Sequence, residues 1–321
     1  MPTIRDIAKK AGVSVTTVSR VLNNHPYVSK EKRLVVEEVI EQLNYQQNIN
    51  AVNLSKGSTQ LIGVVIPFTN HSYFALLMEG IAKAAVAANY KLVLIQTNYE
   101  KEREIEALEM LRYKQIDGLI ICSRIAEWDI IECYVKYGPI VVGEDASSKK
   151  FVSSVYVDHY KGFMQALDFL YEKGHSKIGY CIGRQRGANS ETRARAYADF
   201  LALKELEKDD RLVFFDNFQL EDGAKIVNQL LRLKNKPTAL LVTSDTVAAG
   251  IVTSAREKGF QIPEELAIIG FDNQAIAKML HITTLEIPLV EMGKKLFELV
   301  KVNGENSHKE MKLKLIIRNT V

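Results

Sequence analysis

Thr16, Ser19 and Arg20 stand together in the stretch GVSVTTVSRVLNN (residues 12–24), and their chemistry is that of reading nucleic acid. A guanidinium forks onto the O6 and N7 edge of guanine or onto a phosphate, and a threonine offers a methyl or a hydroxyl. Around them Thr3, Ser14, Thr17, Asn23 and Ser29 fall at expected helix ends, where hydroxyls, amides and backbone N–H groups can meet phosphates. Taken singly, each is more often only a cap or a surface side chain. Gathered in one small basic unit, they favour DNA.

The elements that must position these side chains follow from spacing. Thr3 caps a first helix carrying Ile4, Ile7, Ala8 and Ala11 at helical spacing, with Asp6 in its first turn; Gly12 ends it. Ser14 opens a second helix that stops at Asn23-Asn24. Val18, Val21 and Leu22 face its core side, which leaves Val15, Thr16, Ser19 and Arg20 outward. The four β-branched residues Val15–Val18 are mediocre helix formers, yet short branched side chains let a backbone approach a groove, and Val15 and Thr16 can touch thymine methyls. Two helices joined by a tight glycine turn make a helix-turn-helix. Ser29 caps a third helix, with Leu34, Val35, Ile40 and Leu43 as its apolar stripe. Residues 1–57 hold eight bases against five acids, while the rest of the chain is neutral. A basic head on a neutral body points to a polyanion partner for the head alone.

Residues 46–60 read as a polar linker. From Leu61 onward short apolar runs alternate with helical stretches: 62–67, 92–95, 119–122, 140–142, 155–157, 178–182, 212–215, 239–242 and 266–270. Continuous β-branched runs between helices predict parallel sheets buried on both faces. Their number predicts two doubly wound α/β lobes with a ligand in the crevice between them. No internal repeat is evident in the sequence. At 321 residues and 47% hydrophobic, the chain has a globular composition. It has no apolar run of membrane-spanning length and no secretory h-region after MPTIRDIAKK. Cys122, Cys133 and Cys181 are scattered as reduced cytoplasmic thiols are. No P-loop, GxGxxG, HExxH or GxSxG occurs. Gly179, Gly183 and Gly187 are spaced four apart, which is no dinucleotide fingerprint. The expectation is no catalytic residue, no metal and no cofactor.

TIRDIAKKAGVSVTTVSRVLNNHPYVS, then VIEQLNY and AVNL, closely resembles the lactose/galactose repressor (LacI/GalR) family. The likeness continues through IGVVIP, DGLII, KGHSKIGY, PTALLVTSDTVAAG, ELAIIGFDN and ITTLEI, across essentially the whole chain. The resemblance implies a helix-turn-helix domain at 1–45 and a hinge helix and linker at 46–60. It implies a two-lobed, periplasmic-binding-protein-like effector-binding and dimerisation domain at 61–321. It places Val15, Thr16 and Arg20 on base-reading positions and residues 51–54 on the hinge helix, with Ala51 and Leu54 at the DNA. Leu54 matches a leucine wedged into the minor groove, where an unstacked base step costs a few kcal/mol and permits a bend. In the crevice it implies effector contacts from Ser72, Tyr73 and Phe74, and from Arg193, Phe218, Ser244 and Asp272. Asp145, or Glu144 beside it, matches a further carboxylate. Such a set suits a polyhydroxyl ligand. The sequence departs from the family pattern at Gln47, Val52 and Ile287-Pro288.

The expected protein is thus a cytoplasmic, homodimeric repressor of carbohydrate-utilisation genes. It would bind a pseudo-palindromic double-stranded operator and answer to a sugar-type effector, with no membrane partner. A corepressor-dependent regulator of the same family is the alternative. A solute-binding protein of transport, which would have similar lobes, is a weaker one, because it explains neither the basic head nor the missing signal sequence.

Overall fold

The structure is a computed structural model that describes residues 2–47, 52–53, 57–301 and 304–321. It divides into two compact units, Met1–Gly57 and Ser58–Val321.

The first unit holds three helices: α1 (Ile4–Ala11), α2 (Val15–Leu22) and α3 (Lys30–Gln42). Their caps are those the side chains dictate. Thr3 and Asp6 form a reciprocal capping box. Ser14 accepts from the Thr17 amide and Ser29 from the Lys32 amide. Gly12 closes α1 at φ 65°, a left-handed conformation that costs glycine nothing. Ile7, Ala8, Val18, Val21, Val36 and Val39 are the buried core. Here α3 departs from expectation. Leu34 is 63% exposed and Val35 38% exposed, whereas Val36 and Val39 are buried. The charged residues around Leu34 and Val35 made the apolar phase ambiguous, and the helix turns the 36/39 side inward, with Ile40 and Leu43 packed beside it. Of the linker, Val52 and Asn53 are helical. Ala51 and Leu54 lie outside the described residues, as does most of the expected hinge helix.

The second unit contains two six-stranded sheets. The first lobe carries β1 (Leu61–Ile66), α4 (Ser72–Ala87), β2 (Lys91–Gln96), α5 (Lys101–Arg112), β3 (Gly118–Ile121), α6 (Trp128–Glu132), β4 (Ile140–Val142) and β5 (Ser153–Val157). The second carries α7 (His159–Glu172), β6 (Ile178–Cys181), α8 (Ala188–Leu203), β7 (Val213–Phe214), α9 (Asp222–Arg232), β8 (Ala239–Val242), α10 (Asp245–Glu257), β9 (Ala267–Phe271), α11 (Ala275–Met279) and β10 (Thr283–Glu286). The chain then returns to the first lobe through α12 (Leu289–Lys301) and β11 (His308–Met311), and ends in the second with β12 (Lys314–Ile316). The backbone therefore crosses between lobes three times.

The strand orders are β2-β1-β3-β4-β5-β11 and β7-β6-β8-β9-β10-β12, so a repeat invisible in the sequence exists as topology. Every pairing is parallel except β10 with β12. The continuous apolar runs are explained by period-two burial on both faces. Val64 and Ile120 face one core, while Val65, Leu119 and Ile121 face another. In the second sheet Leu241 and Ile269 face the first of these cores, while Leu240 and Ile268 face a third. In both lobes the order reverses beside the first strand, where a doubly wound sheet opens a crevice at its carboxyl edge.

Candidate DNA-reading helix and effector cavity

On α2 the side chains divide by helical phase. Val18 and Val21 are buried, whereas Val15 is 39% exposed and Thr16 and Arg20 are exposed. Arg20 makes no hydrogen bond or ion pair with its side chain among the described residues. The remaining polar residues are engaged locally. Ser14 Oγ and Thr17 Oγ1 are 2.9 Å apart. Asn23 Nδ2 donates to the Ser19 carbonyl at 2.8 Å, and Thr3 Oγ1 donates to Asp6 at 2.8 Å. The Thr3 bonds hold the exposed Asp6 carboxyl below its ordinary range. Arg33 on α3, which sequence reasoning did not single out, fixes the turn after α2 by donating to Asn24 Oδ1 at 3.3 Å and to the His25 carbonyl at 3.0 Å. The unit thus presents Val15, Thr16 and Arg20 on a rigid, capped helix.

In the second unit a cavity of about 110 Å³ lies between the lobes. The residues just beyond the strand ends build it: Phe68 after β1, Tyr99 after β2, Ser123 after β3, Gly183 and Arg184 after β6, Phe218 after β7, Thr243 after β8 and Asp272 after β9. Helix starts complete it, with His71, Tyr73 and Phe74 at α4, His159 at α7, and Asn189, Ser190 and Arg193 on α8.

Of the expected effector contacts, the cavity gathers Tyr73, Phe74, Arg193, Phe218 and Asp272. Three stand outside it. Ser72 Oγ instead lies 3.4 Å from Thr246 Oγ1. Ser244, the N-cap of α10, is buried, its hydroxyl without a partner among the described residues. Asp145 is exposed and accepts from the Ser147 amide at 2.9 Å. Its neighbour Glu144 turns inward, but to Arg124 at 2.6 Å rather than to the cavity. Burial raises the Glu144 carboxyl despite that arginine. The loop after β4 thus sends one carboxylate to solvent and the other into an ion pair.

His159, Arg184, Asn217 and the aromatic pair Phe68 and Tyr99 were missed. The available signal was position, since each follows a strand end or opens a helix. Phe68 is edge-on to Tyr99 at 5.3 Å and to Phe218 at 5.7 Å, so aromatic faces from both lobes meet at the cavity. Gly183 makes room for this, because a Cβ there would lie 2.6 Å from Phe218 Cε1. The Arg184 guanidinium covers the Tyr99 ring at 4.5 Å.

The polar centre is Arg193. Its Nη2 donates to His159 Nδ1 at 3.2 Å, and its buried Nε has no partner among the described residues. Burial, reinforced by Arg193, holds His159 well below its ordinary pKa, so the imidazole is neutral. Its acceptor Nδ1 leaves the proton on Nε2. Burial pushes Asp272 up to about 7 against the opposing pull of Arg193 and of a Gln274 hydrogen bond. Burial and the Asp272 charge likewise raise the Tyr73 phenol, which keeps it a proton donor. Burial pushes Cys122 up to about 12, an unreactive thiol. Donors in forks, a carboxyl acceptor, amides and aromatic faces together can hold vicinal hydroxyls and cover a C–H surface. Among the described residues no three His, Cys, Asp or Glu side chains form a metal-binding group. No helix among them is long and apolar enough to cross a membrane.

Comparison with known proteins covers both units. Residues 3–48 match the family model of bacterial regulatory proteins, lacI family. Residues 59–317 match that of periplasmic binding proteins and the sugar binding domain of the LacI family. The HTH-type transcriptional regulator YkvZ of Bacillus subtilis (strain 168) is 42% identical, with 100% of both chains covered. NtdR of the same organism, an NTD biosynthesis operon regulator, is 38% identical over 100% of both chains. A LacI family transcriptional regulator from Lactobacillus casei with bound sucrose superposes with a TM-score of 0.75 at 26% identity, covering 81% of this chain and 99% of that one. This chain accordingly belongs to the LacI family of bacterial regulatory proteins, as a DNA-binding transcriptional regulator with a family effector domain.

Proposed function

We propose that the protein is a repressor of carbohydrate-utilisation genes whose operator affinity is set by a sugar closed between its two lobes. The observation that carries this reading is the cavity itself. Arg193, Asp272 and Tyr73 converge on a space walled by Phe68, Tyr99 and Phe218 from both lobes. Arg193 and Asp272 supply the donor fork and acceptor for ring hydroxyls, and Phe218 covers an apolar sugar face. A sucrose-bound relative of the same fold supports the ligand class. Such a ligand shifts operator affinity only through its different affinities for two lobe arrangements.

In this reading Val15, Thr16 and Arg20 face base edges, and Thr3, Ser14, Thr17, Ser19, Asn23 and Ser29 line the phosphates. Ala51 and Leu54 serve the minor groove. A pseudo-palindromic operator requires two copies of the reading helix, hence a homodimer, working in the cytoplasm where a bacterial regulator meets its DNA. The half-exposed edge strand β2, with Leu94 46% exposed, and Val86 of α4, 74% exposed, supply apolar surface for pairing. A thermal-shift screen against mono- and oligosaccharides tests the ligand class. A binding saccharide raises the apparent melting temperature in a concentration-dependent way, and the absence of any such shift across the screen contradicts the reading.

A further inference from the structure

The hydrogen bonds around Asp272 extend beyond the cavity. Gln274, buried two residues on, donates from Nε2 to Asp272 Oδ2 at 2.9 Å. Its Oε1 accepts from the Thr246 hydroxyl at 3.0 Å. Thr246 Oγ1 is 3.4 Å from Ser72 Oγ. Thr246 and Gln274 belong to the second lobe, and Ser72 is the first residue of α4 in the first lobe. Thr246 gives its single proton to Gln274, so Ser72 is the donor in the bond between lobes. The series then runs in one direction, from hydroxyl to hydroxyl to amide to carboxylate, and each bond polarises the next.

The turn that supports this series is held from several sides. Asp272 and Asn273 have φ of 99° and 54°, conformations that persist in non-glycine residues only where the surroundings over-determine them. Here the Gln274 amide donates to Asp245 Oδ2 at 2.7 Å, Thr284 Oγ1 donates to Asp245 Oδ1 at 2.7 Å, and Asn273 Nδ2 donates to Glu286 at 2.6 Å. Ser72, Thr246 and Gln274 do not line the cavity.

We propose that Gln274 is a positioning residue that ties the Asp272 carboxylate in the cavity to lobe closure, through Thr246 and Ser72. The inference rests on Asp272 being an effector contact. A ligand hydroxyl that draws on the carboxylate changes the acceptor Gln274 holds, and that change reaches the start of α4 without the ligand touching Ser72.

The test is single-molecule FRET on the full-length, ligand-free protein. Dyes sit on cysteines introduced at the exposed positions Tyr113 and Leu203, with Cys133→Ser removing the exposed native thiol. Thr246→Val keeps the branched shape and removes both hydroxyl bonds. It shifts the closed-to-open ratio toward open by about two- to tenfold, the effect of about one net hydrogen bond. Ser72→Ala shifts it in the same direction, and the double variant moves no further than Thr246→Val alone. Gln274→Met, which neither accepts from Thr246 nor donates to Asp272, removes that polarisation and also opens the lobes. A Thr246→Val distribution that coincides with wild type, or singles that multiply in the double variant, overturns the proposal. No saccharide enters this measurement. Its failure leaves the sugar reading standing, whereas an empty saccharide screen removes that reading alone.

Discussion

Arg193 and His159 share one hydrogen bond: Nη2 of the guanidinium donates to Nδ1 of the imidazole across 3.2 Å. The imidazole thereby orients the arginine while adding no competing charge, because burial keeps it neutral. Arg193→Ala therefore abolishes the response to a binding saccharide and leaves operator affinity in its absence within about twofold. Arg193→Lys keeps the charge but loses the planar fork, and it weakens saccharide binding by roughly 1.5–3 kcal/mol, the range of hydrogen bonds to charged groups. Calorimetric titration of both variants, alongside operator binding, checks this. A retained response in Arg193→Ala would move the ligand elsewhere.

Asp272 gives a pH signature whose sign is fixed by its raised pKa. Its folded value of about 7 lies above the ordinary carboxyl value of 3.8, so the native state binds the extra proton. The associated stability is fully present below the unfolded pKa and is lost as pH rises through about 7. Asp272→Asn removes that dependence. The stability of the variant relative to wild type rises between pH 4 and pH 8 by an amount on the order of a few kcal/mol. Denaturant unfolding of both proteins at pH 5 and pH 8 measures it, and a pH-independent difference would contradict the buried placement of this carboxyl.

Gly183 and Phe218 are a matched pair. A Cβ on Gly183 would stand 2.6 Å from the ring, so Gly183→Ala displaces the phenyl from the cavity and destabilises the second unit by about 1–3 kcal/mol. In Gly183→Ala/Phe218→Ala the clash has no partner, and the combined destabilisation is smaller than the sum of the singles. Additive losses in thermal unfolding would mean that the glycine serves some other purpose.

Much of this organisation was legible in the sequence because it rests on local rules. Thr3, Gly12, Ser14 and Ser29 bound the first three helices through capping chemistry, and the nine apolar runs became strands because both sheet faces are covered. What was not legible depends on distant neighbours. Val36 rather than Leu34 entered the core because three helices had to agree on one phase. Neither Asp145 nor Glu144 reaches the cavity, because Asp145 faces solvent and Arg124, 20 residues away, claims the Glu144 carboxylate. His159 has no metal-ligand spacing in the sequence, and only the fold brings Arg193 to it. Ser72 lies one residue before Tyr73, yet its hydroxyl meets Thr246 rather than the cavity.

Arg20 is the most exposed test of the DNA-reading surface. Arg20→Ala weakens binding to the specific operator by roughly 1–3 kcal/mol while changing binding to unrelated duplex less. Equal losses on both duplexes, measured at one salt concentration, would reduce its role to phosphate contact.

The central claim, that a sugar in the cavity controls sequence-specific DNA binding, is tested most directly by one titration. A pseudo-palindromic site selected from a random duplex library is titrated with the full-length protein by fluorescence anisotropy, with and without a saccharide found in the thermal-shift screen. Salt-dependent binding well above that to scrambled duplex is expected. The Kd changes by at least about fivefold on adding the saccharide, and this change is absent in Arg193→Ala. Binding that does not distinguish the site from scrambled DNA, or a Kd unmoved by a saccharide that demonstrably binds, would contradict it.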